Sequence, residues 1–136
     1  MKILIVEDNP VNYRMLQSLL SQYGETEVAV NGKTGLAAFE RAYQKANPIE
    51  LIFLDLVMPE MDGHEMLRLI REFEKSKGVT EEDRQVKVVI STNQETTQDV
   101  ILSYEQGAHH YFLKPYSPSE LEDLMSLMGY VKIPSA

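Results

Sequence analysis

Residues 51–63 have the sequence LIFLDLVMPEMDG, and this stretch decides the fold. Four apolar residues, Leu51 to Leu54, lead to a single carboxylate, Asp55, and a turn at Asp62-Gly63 follows. An apolar run of this length between turn signals predicts a strand that is buried on both faces. An acid that follows such a strand is expected at the carboxyl edge of an open α/β sheet, where these folds keep their binding sites.

The composition is that of one globular domain. The chain has 136 residues, of which 43% are hydrophobic and 25% charged, and it contains no cysteine, which excludes disulfides and thiolate metal sites. A formal charge of −8 disfavours direct nucleic-acid binding, because the phosphate backbone would be repelled. No apolar run is long enough to span a membrane, and the start does not resemble a signal peptide, so we expect a cytoplasmic protein without membrane insertion.

Apolar strands alternate with amphipathic helices along the chain. The expected strands are β1 (2–6), β2 (26–30), β3 (49–54), β4 (86–91) and β5 (109–113). A helix is expected after each strand; the fourth, α4, should begin at Thr96 or Thr97 and end at Gly107, and the fifth, α5, should begin at Ser117 or Ser119 and end near Met128. This pattern predicts an α/β fold of the flavodoxin-like, doubly wound type, with a five-stranded parallel sheet in the order 2-1-3-4-5. We expect residues 1–128 to form this domain and residues 129–136 a short tail, with no output domain.

Ionic or hydroxyl side chains follow four of the five expected strands. Glu7 and Asp8 follow β1, Asp55 follows β3, Thr92 follows β4 and Lys114 follows β5. Right-handed crossovers bring these strand ends to one edge of the sheet. Each residue alone has a structural explanation, since an acid can cap a helix and a threonine can belong to a turn, but together they supply the parts of one reaction.

Three carboxylates that converge at one place would repel one another unless a cation lies between them. Magnesium takes one or two carboxylates and fills its remaining positions with water and phosphate oxygens. Asp8 and Asp55 fit as direct ligands, Glu7 as a water-mediated partner, and the backbone carbonyl of Val57 is within reach. The sequence therefore predicts a Mg²⁺ site.

An aspartate beside a divalent cation can act as a nucleophile toward phosphorus and form an aspartyl phosphate. Asp55 is the predicted acceptor. The ammonium of Lys114 would pair with one phosphoryl oxygen, and the hydroxyl of Thr92 would donate a hydrogen bond to another.

These residues resemble the receiver domain of two-component response regulators, of the single-domain type similar to chemotaxis regulators. The motifs are the acid pair Glu7-Asp8, the D-x-x-M-P stretch at 55–59 with Met61-Asp62-Gly63, Thr92, and Lys114-Pro115. The resemblance covers nearly the whole chain. It implies phosphorylation of Asp55 by a histidine kinase or a histidine phosphotransfer protein, Mg²⁺ at the acidic residues, and output through protein–protein contacts. It implies a signalling domain of a two-component system or phosphorelay, with at most self-catalysed phosphorylation and dephosphorylation as enzymatic activity.

The resemblance also implies a coupled switch at Thr92 and Tyr111 and a cis peptide bond between Lys114 and Pro115. The target, or a second phosphorylated copy of the chain, would dock on the face formed by α4, β5 and α5. Helix α4 has few apolar residues, so we expect it to be weakly anchored and easily biased by a phosphoryl group.

One position departs from the family pattern, because Asn93 follows Thr92 where a small residue is common. We expect Asn93 to slow phosphoryl exchange with small donors, and Val57 and Gln94 to flank the path of attacking water. The three histidines receive no role: His64 is expected to be solvated, and adjacent strand residues 109 and 110 point to opposite faces.

Three other functions compete with this one. An aspartate-dependent phosphatase usually needs a second acid two residues after the nucleophile, where this chain has Val57. A flavin-binding module needs a Gly/Ser/Thr-rich cradle after β1, where this chain has Glu-Asp-Asn-Pro. A degenerate receiver that is never phosphorylated is disfavoured, because every reacting group is present.

Overall fold

The computed structural model describes residues 1–58, 60–93 and 96–134, which form alternating strands and helices. The strands are β1 (Lys2–Val6), β2 (Glu25–Ala29), β3 (Leu51–Leu54), β4 (Lys87–Thr92) and β5 (His110–Leu113). The helices are α1 (Pro10–Leu20), α2 (Gly32–Gln44), α3 (Gly63–Ser76), α4 (Thr97–Glu105) and α5 (Pro118–Leu127). None of the helices in the described part of the chain is both long and apolar enough to cross a lipid bilayer.

The strands form one parallel sheet in the order β2-β1-β3-β4-β5, which confirms the predicted topology. The inner strands β1, β3 and β4 are buried almost throughout, whereas the edge strands β2 and β5 are partly exposed. Continuous apolar runs are characteristic of strands that are covered on both faces, and the three inner strands have such runs.

Alternate residues of the inner strands enter two separate apolar layers, because successive side chains point to opposite faces of a sheet. Ile3, Ile5 and Phe53 pack with α1 and α5 on one face, while Leu4, Ile52 and Leu54 pack with α2 and α3 on the other. The sheet is therefore held between two pairs of helices.

Helix α4 is packed differently from the other helices. Ser103 is its only buried residue, and all of α4 lies within the described part of the chain. Ile101, Leu102 and Tyr104 are 52%, 40% and 48% exposed. The helix therefore contributes little to the apolar core, as its few apolar residues predict.

The ends of several elements differ slightly from the prediction. Strand β3 begins at Leu51 rather than at residue 49, although Ile49 is also buried. The apolar residues of the sequence do not show where the buried segment before the strand ends and where the hydrogen-bonded strand begins. At the start of α1, the side chain of Asn9 accepts hydrogen bonds from the amides of Val11 and Asn12 and so caps the helix.

The segment after α5 folds back onto the domain. Tyr130 packs against the apolar layer between the sheet and α1 and α5. The amide of Ile133 donates to the carbonyl of Gln22 at 2.7 Å, and Lys132 pairs with Glu122. Residues 129–134 are thus attached near the end of α1.

Candidate functional site

The side chains that the sequence singles out lie at the carboxyl edge of the sheet. Parallel hydrogen bonding continues one residue beyond the strands: the amide of Glu7 donates to Ala29, that of Asp55 to Val6, and that of Lys114 to Thr92. These backbone contacts hold the strand ends side by side, which is how residues far apart in the chain come to share one site.

Glu7, Asp8 and Asp55 form an acidic cluster, in which one carboxylate oxygen of each lies within 4.8 Å of the others. Glu7 is 2% exposed and Asp55 8% exposed, while Asp8 is open to solvent. Oxygen ligands that meet at such distances, with one side open to water, suit a hard divalent cation such as Mg²⁺. The donor set therefore fits the predicted metal.

Lys114 is the cation that reaches into this cluster. Its ammonium contacts a carboxylate oxygen of Glu7 and lies 3.5 Å from Oδ2 of Asp55. Burial raises the pKa of Glu7; the contact with Lys114 opposes this rise, and the neighbouring carboxylate of Asp55 adds to it. One ammonium among three carboxylates leaves an excess of negative charge that a divalent cation would neutralise.

The loop after β3 presents Asp55 to the cluster. Oδ1 of Asp55 accepts a hydrogen bond from the amide of Val57 at 3.1 Å, while Val57 itself is 53% exposed. At Gly63, a Cβ atom would lie 2.4 Å from the carbonyl oxygen of Asp55, so a larger residue would displace the loop. Gly63 therefore allows the close approach that positions the Asp55 loop, in addition to forming the turn that the sequence predicts.

Thr92 and Tyr111 lie on the same face of the sheet. Ile90 pairs with Tyr111 and Thr92 with Leu113 in the β4–β5 ladder, and the period of two places all four side chains on one side. Thr92 is fully buried, whereas Tyr111 is half-buried against the apolar layer beneath α2 and α3.

A cleft of about 320 Å³ opens beside the acidic cluster. Its lining residues are Asn12, Met15, Asn93, Lys114, Pro115 and Tyr116. Asn93 is exposed at this cleft, and Gln94 lies outside the described residues. The Lys114–Pro115 peptide bond is cis, as the family resemblance implies.

Tyr116, which lines the cleft, has a buried hydroxyl partner that the sequence does not reveal. The hydroxyls of Tyr116 and Ser91 are 3.0 Å apart, and burial raises the pKa of Tyr116 to about 12. No local motif distinguishes Tyr116 from an ordinary core tyrosine, because its partner is 25 residues away in the chain.

The prediction that His64 is solvated is wrong. The imidazole is 17% exposed, and its two nitrogens lie 3.0 Å from Oε1 of Gln106 and 3.1 Å from Oδ1 of Asp99. These partners lie 42 and 35 residues further along the chain, in the region of α4. The start of an amphipathic helix is usually solvated, and here the contacts with Asp99 and Gln106 cover it.

A parallel sheet of this order, with an acidic cluster and a lysine at its carboxyl edge, defines a doubly wound domain of the flavodoxin-like fold. The chain belongs to the response regulator receiver domain family, whose model matches residues 3–126. Receiver domains are the phosphorylation-activated switches of two-component signalling, and they interact with histidine kinases and downstream targets.

Individual relatives agree with this assignment. The DNA-binding response regulator MtrA of Mycolicibacterium smegmatis is 34% identical over 121 residues, which are 88% of this chain and 46% of that protein. The phosphorylated cyanobacterial phytochrome response regulator RcpA is 27% identical with a TM-score of 0.73, and 93% of this chain and 89% of that chain are covered. The Mn²⁺-bound form of response regulator Rcp1 is 27% identical with a TM-score of 0.75, at 98% and 99% coverage. The chain spans between 7% and 56% of the length of the curated relatives compared.

Proposed function

We propose that Asp55 accepts a phosphoryl group from a phosphohistidine of a histidine kinase or histidine phosphotransfer protein. The observation that carries this proposal is the convergence of Asp55 with Glu7, Asp8 and Lys114 at one edge of the sheet. Such a cluster supplies a nucleophile, a cation site and a fixed ammonium within one small volume, and phosphoryl transfer needs little else.

In the proposed step, one carboxylate oxygen of Asp55 forms a bond to phosphorus. The bond between phosphorus and the donor's imidazole nitrogen breaks, and its electron pair stays on that nitrogen. Lys114, which Glu7 holds close to Asp55, pairs with a phosphoryl oxygen, and the hydroxyl of Thr92 donates a hydrogen bond to another.

We further propose that the acidic cluster is a Mg²⁺ site. Asp8 and Asp55 would be direct ligands together with the carbonyl of Val57, and Glu7 would act through water. A divalent cation bound there neutralises negative charge on the phosphoryl group. The mixed burial of the cluster supports this proposal, because two shielded carboxylates define the site while the exposed Asp8 keeps it open to solvent.

The output would travel through Thr92 and Tyr111 to the face formed by α4, β5 and α5, where a target protein or a second phosphorylated copy would dock. The exposed apolar residues of α4 support this choice of surface. Several expectations stay predictions. They are the rate effects of Asn93, Val57 and Gln94, the domain boundary at residue 128, the single-domain character and a cytoplasmic location.

The deciding experiment is intact mass spectrometry after incubation with acetyl phosphate and Mg²⁺. We expect a gain of one phosphoryl group that is lost in Asp55→Asn. Asp62→Asn is the matched control, because Asp62 lies in the same loop and only caps α3, and asparagine caps equally well. A phosphohistidine donor is tested in parallel, since Asn93 is expected to slow small donors. Labelling of Asp55→Asn, or no labelling of the wild type by either donor, would contradict the proposal.

A further inference from the structure

His64 connects helix α3 to both ends of helix α4. The residue lies in the first turn of α3, and its ring reaches Asp99 in the first turn of α4 and Gln106, which caps the other end. The side chains of Asp99 and Gln106 thus converge on one imidazole from the two ends of a helix that otherwise has a single buried residue, Ser103.

Both groups that face the ring are hydrogen-bond acceptors. Hydrogen bonds from Thr96 and His64 lower the pKa of Asp99, so its side chain is a carboxylate with no proton to donate near neutral pH. The amide of Gln106 is oriented by a second contact, because its Nε2 donates to the backbone carbonyl of His64 at 3.0 Å. Rotating this amide by half a turn would bring two oxygens together, so Oε1 faces the ring.

A neutral imidazole has one N–H and one lone pair, whereas an imidazolium has two N–H donors. In the neutral ring, one nitrogen lone pair would point at an oxygen about 3 Å away, at either Gln106 or Asp99. We propose that His64 is a proton-dependent clasp, whose imidazolium form fastens α4 to α3 and whose deprotonation releases one end of α4.

The charges around the ring decide this balance. From α4, Asp99 faces the ring and Glu105 adjoins Gln106, and Arg71 of α3 lines the same groove as Gln106. The start of α3 carries a partial positive charge that opposes protonation. The other charged groups that adjoin His64 on its own element are Asp62, Glu65 and Arg68. Asp99 is the charged group in direct contact with the ring, at 3.1 Å.

The clasp would regulate the exposed apolar face of α4. The hydroxyl of Ser103 donates to the carbonyl of Asp99 inside the same helix, and its backbone carbonyl accepts from the amide of Ala108 just after α4. Histidine ordinarily changes its charge between about pH 5 and pH 8. A change of pH within that range would therefore alter how firmly Ile101, Leu102 and Tyr104 are held in place.

The test is an NMR titration of the unphosphorylated chain, with the imidazole nitrogens and backbone amides labelled with ¹⁵N. At the acidic end we expect both His64 nitrogens to be protonated. As His64 loses its proton, the amides from Val100 to Gln106 should shift with the same midpoint. Their protection against hydrogen exchange, corrected for intrinsic rates, should fall about fivefold, the effect of losing one hydrogen bond of about 1 kcal/mol.

Two variants separate the clasp from general effects of pH. His64→Gln should abolish the titration of the α4 amides, and His110→Gln should leave it unchanged. Persistence of the titration in His64→Gln would overturn the inference. The inference would also be overturned if the α4 amides of the wild type did not shift as His64 loses its proton. This result does not depend on the folding of any variant. Because the chain is unphosphorylated throughout, failure here leaves the proposal for Asp55 untouched.

Discussion

Replacing Asp55 with asparagine removes one charge from the acidic cluster without changing the shape of the side chain. The hydrogen bond from the amide of Val57 to Oδ1 is retained, because aspartate and asparagine side chains are isosteric and both carry an acceptor oxygen. What changes is the electrostatic energy, since the carboxylate repels Glu7 and Asp8 within 4.8 Å and attracts Lys114 at 3.5 Å.

These distances give the size of the effect. With an effective dielectric constant of about 20, two unit charges at the larger distance interact by about 3.5 kcal/mol and at the shorter distance by about 4.7 kcal/mol. Two repulsions and one attraction together destabilise the folded wild type by about 2 kcal/mol. Water around the exposed Asp8 weakens its repulsion and reduces this destabilisation to about 1 kcal/mol. Without divalent cations, Asp55→Asn should therefore be more stable than the wild type by about 1 kcal/mol, or roughly 3 °C in Tm.

In saturating Mg²⁺, the wild type should instead be more stable than Asp55→Asn. A ligand at about one hundred times its Kd stabilises the folded state by about 2.7 kcal/mol, and the variant, which lacks one charged ligand, should gain much less. The assay is thermal and urea unfolding at about pH 8, in EDTA and in saturating Mg²⁺. Asp62→Asn should behave like the wild type in both. A variant that is less stable than the wild type in EDTA, or that gains as much from Mg²⁺, would refute the reasoning.

Two further predictions concern stability. Ala46 has φ +57° just after α2, so Ala46→Gly should raise the free energy of unfolding by about 0.5 to 1 kcal/mol, while Ala37→Gly within α2 should lower it by about 1 kcal/mol. Urea unfolding measures both changes, and an equal change in the free energy of unfolding for the two variants would contradict this prediction. Burial, followed by the charges of Lys87 and Arg71, lowers the pKa of His109 to about 4. The unfolded chain then binds the extra proton, so stability should be lost as pH falls from about 6.5 through about 4, by about 1 to 2 kcal/mol after allowing for solvent around the partly exposed ring. His109→Gln should flatten this part of the pH profile, and an unchanged profile would count against it.

The sheet and its site were predictable because their signals are local. Leu51 to Leu54 is a continuous apolar run that ends at an acid, and parallel topology then brings the strand ends together without further information. The contacts of His64 were not predictable, because its partners are 35 and 42 residues away and depend on where α4 lies relative to the start of α3. The close pairing of Glu7 with Lys114 was also missed, since the sequence indicates a shared edge but not which acid the ammonium contacts.

Helix α4 is attached mainly by polar contacts, and this has a thermodynamic consequence. The heat capacity of unfolding rises with exposed apolar surface and falls slightly with exposed polar surface. Since Ser103 is the only buried residue of α4, detaching the helix would uncover little apolar area and change the heat capacity hardly at all. The stability of the whole domain should follow a curved dependence on temperature, with a maximum. The detachment of α4 should instead have a nearly constant enthalpy and follow a straight van't Hoff line.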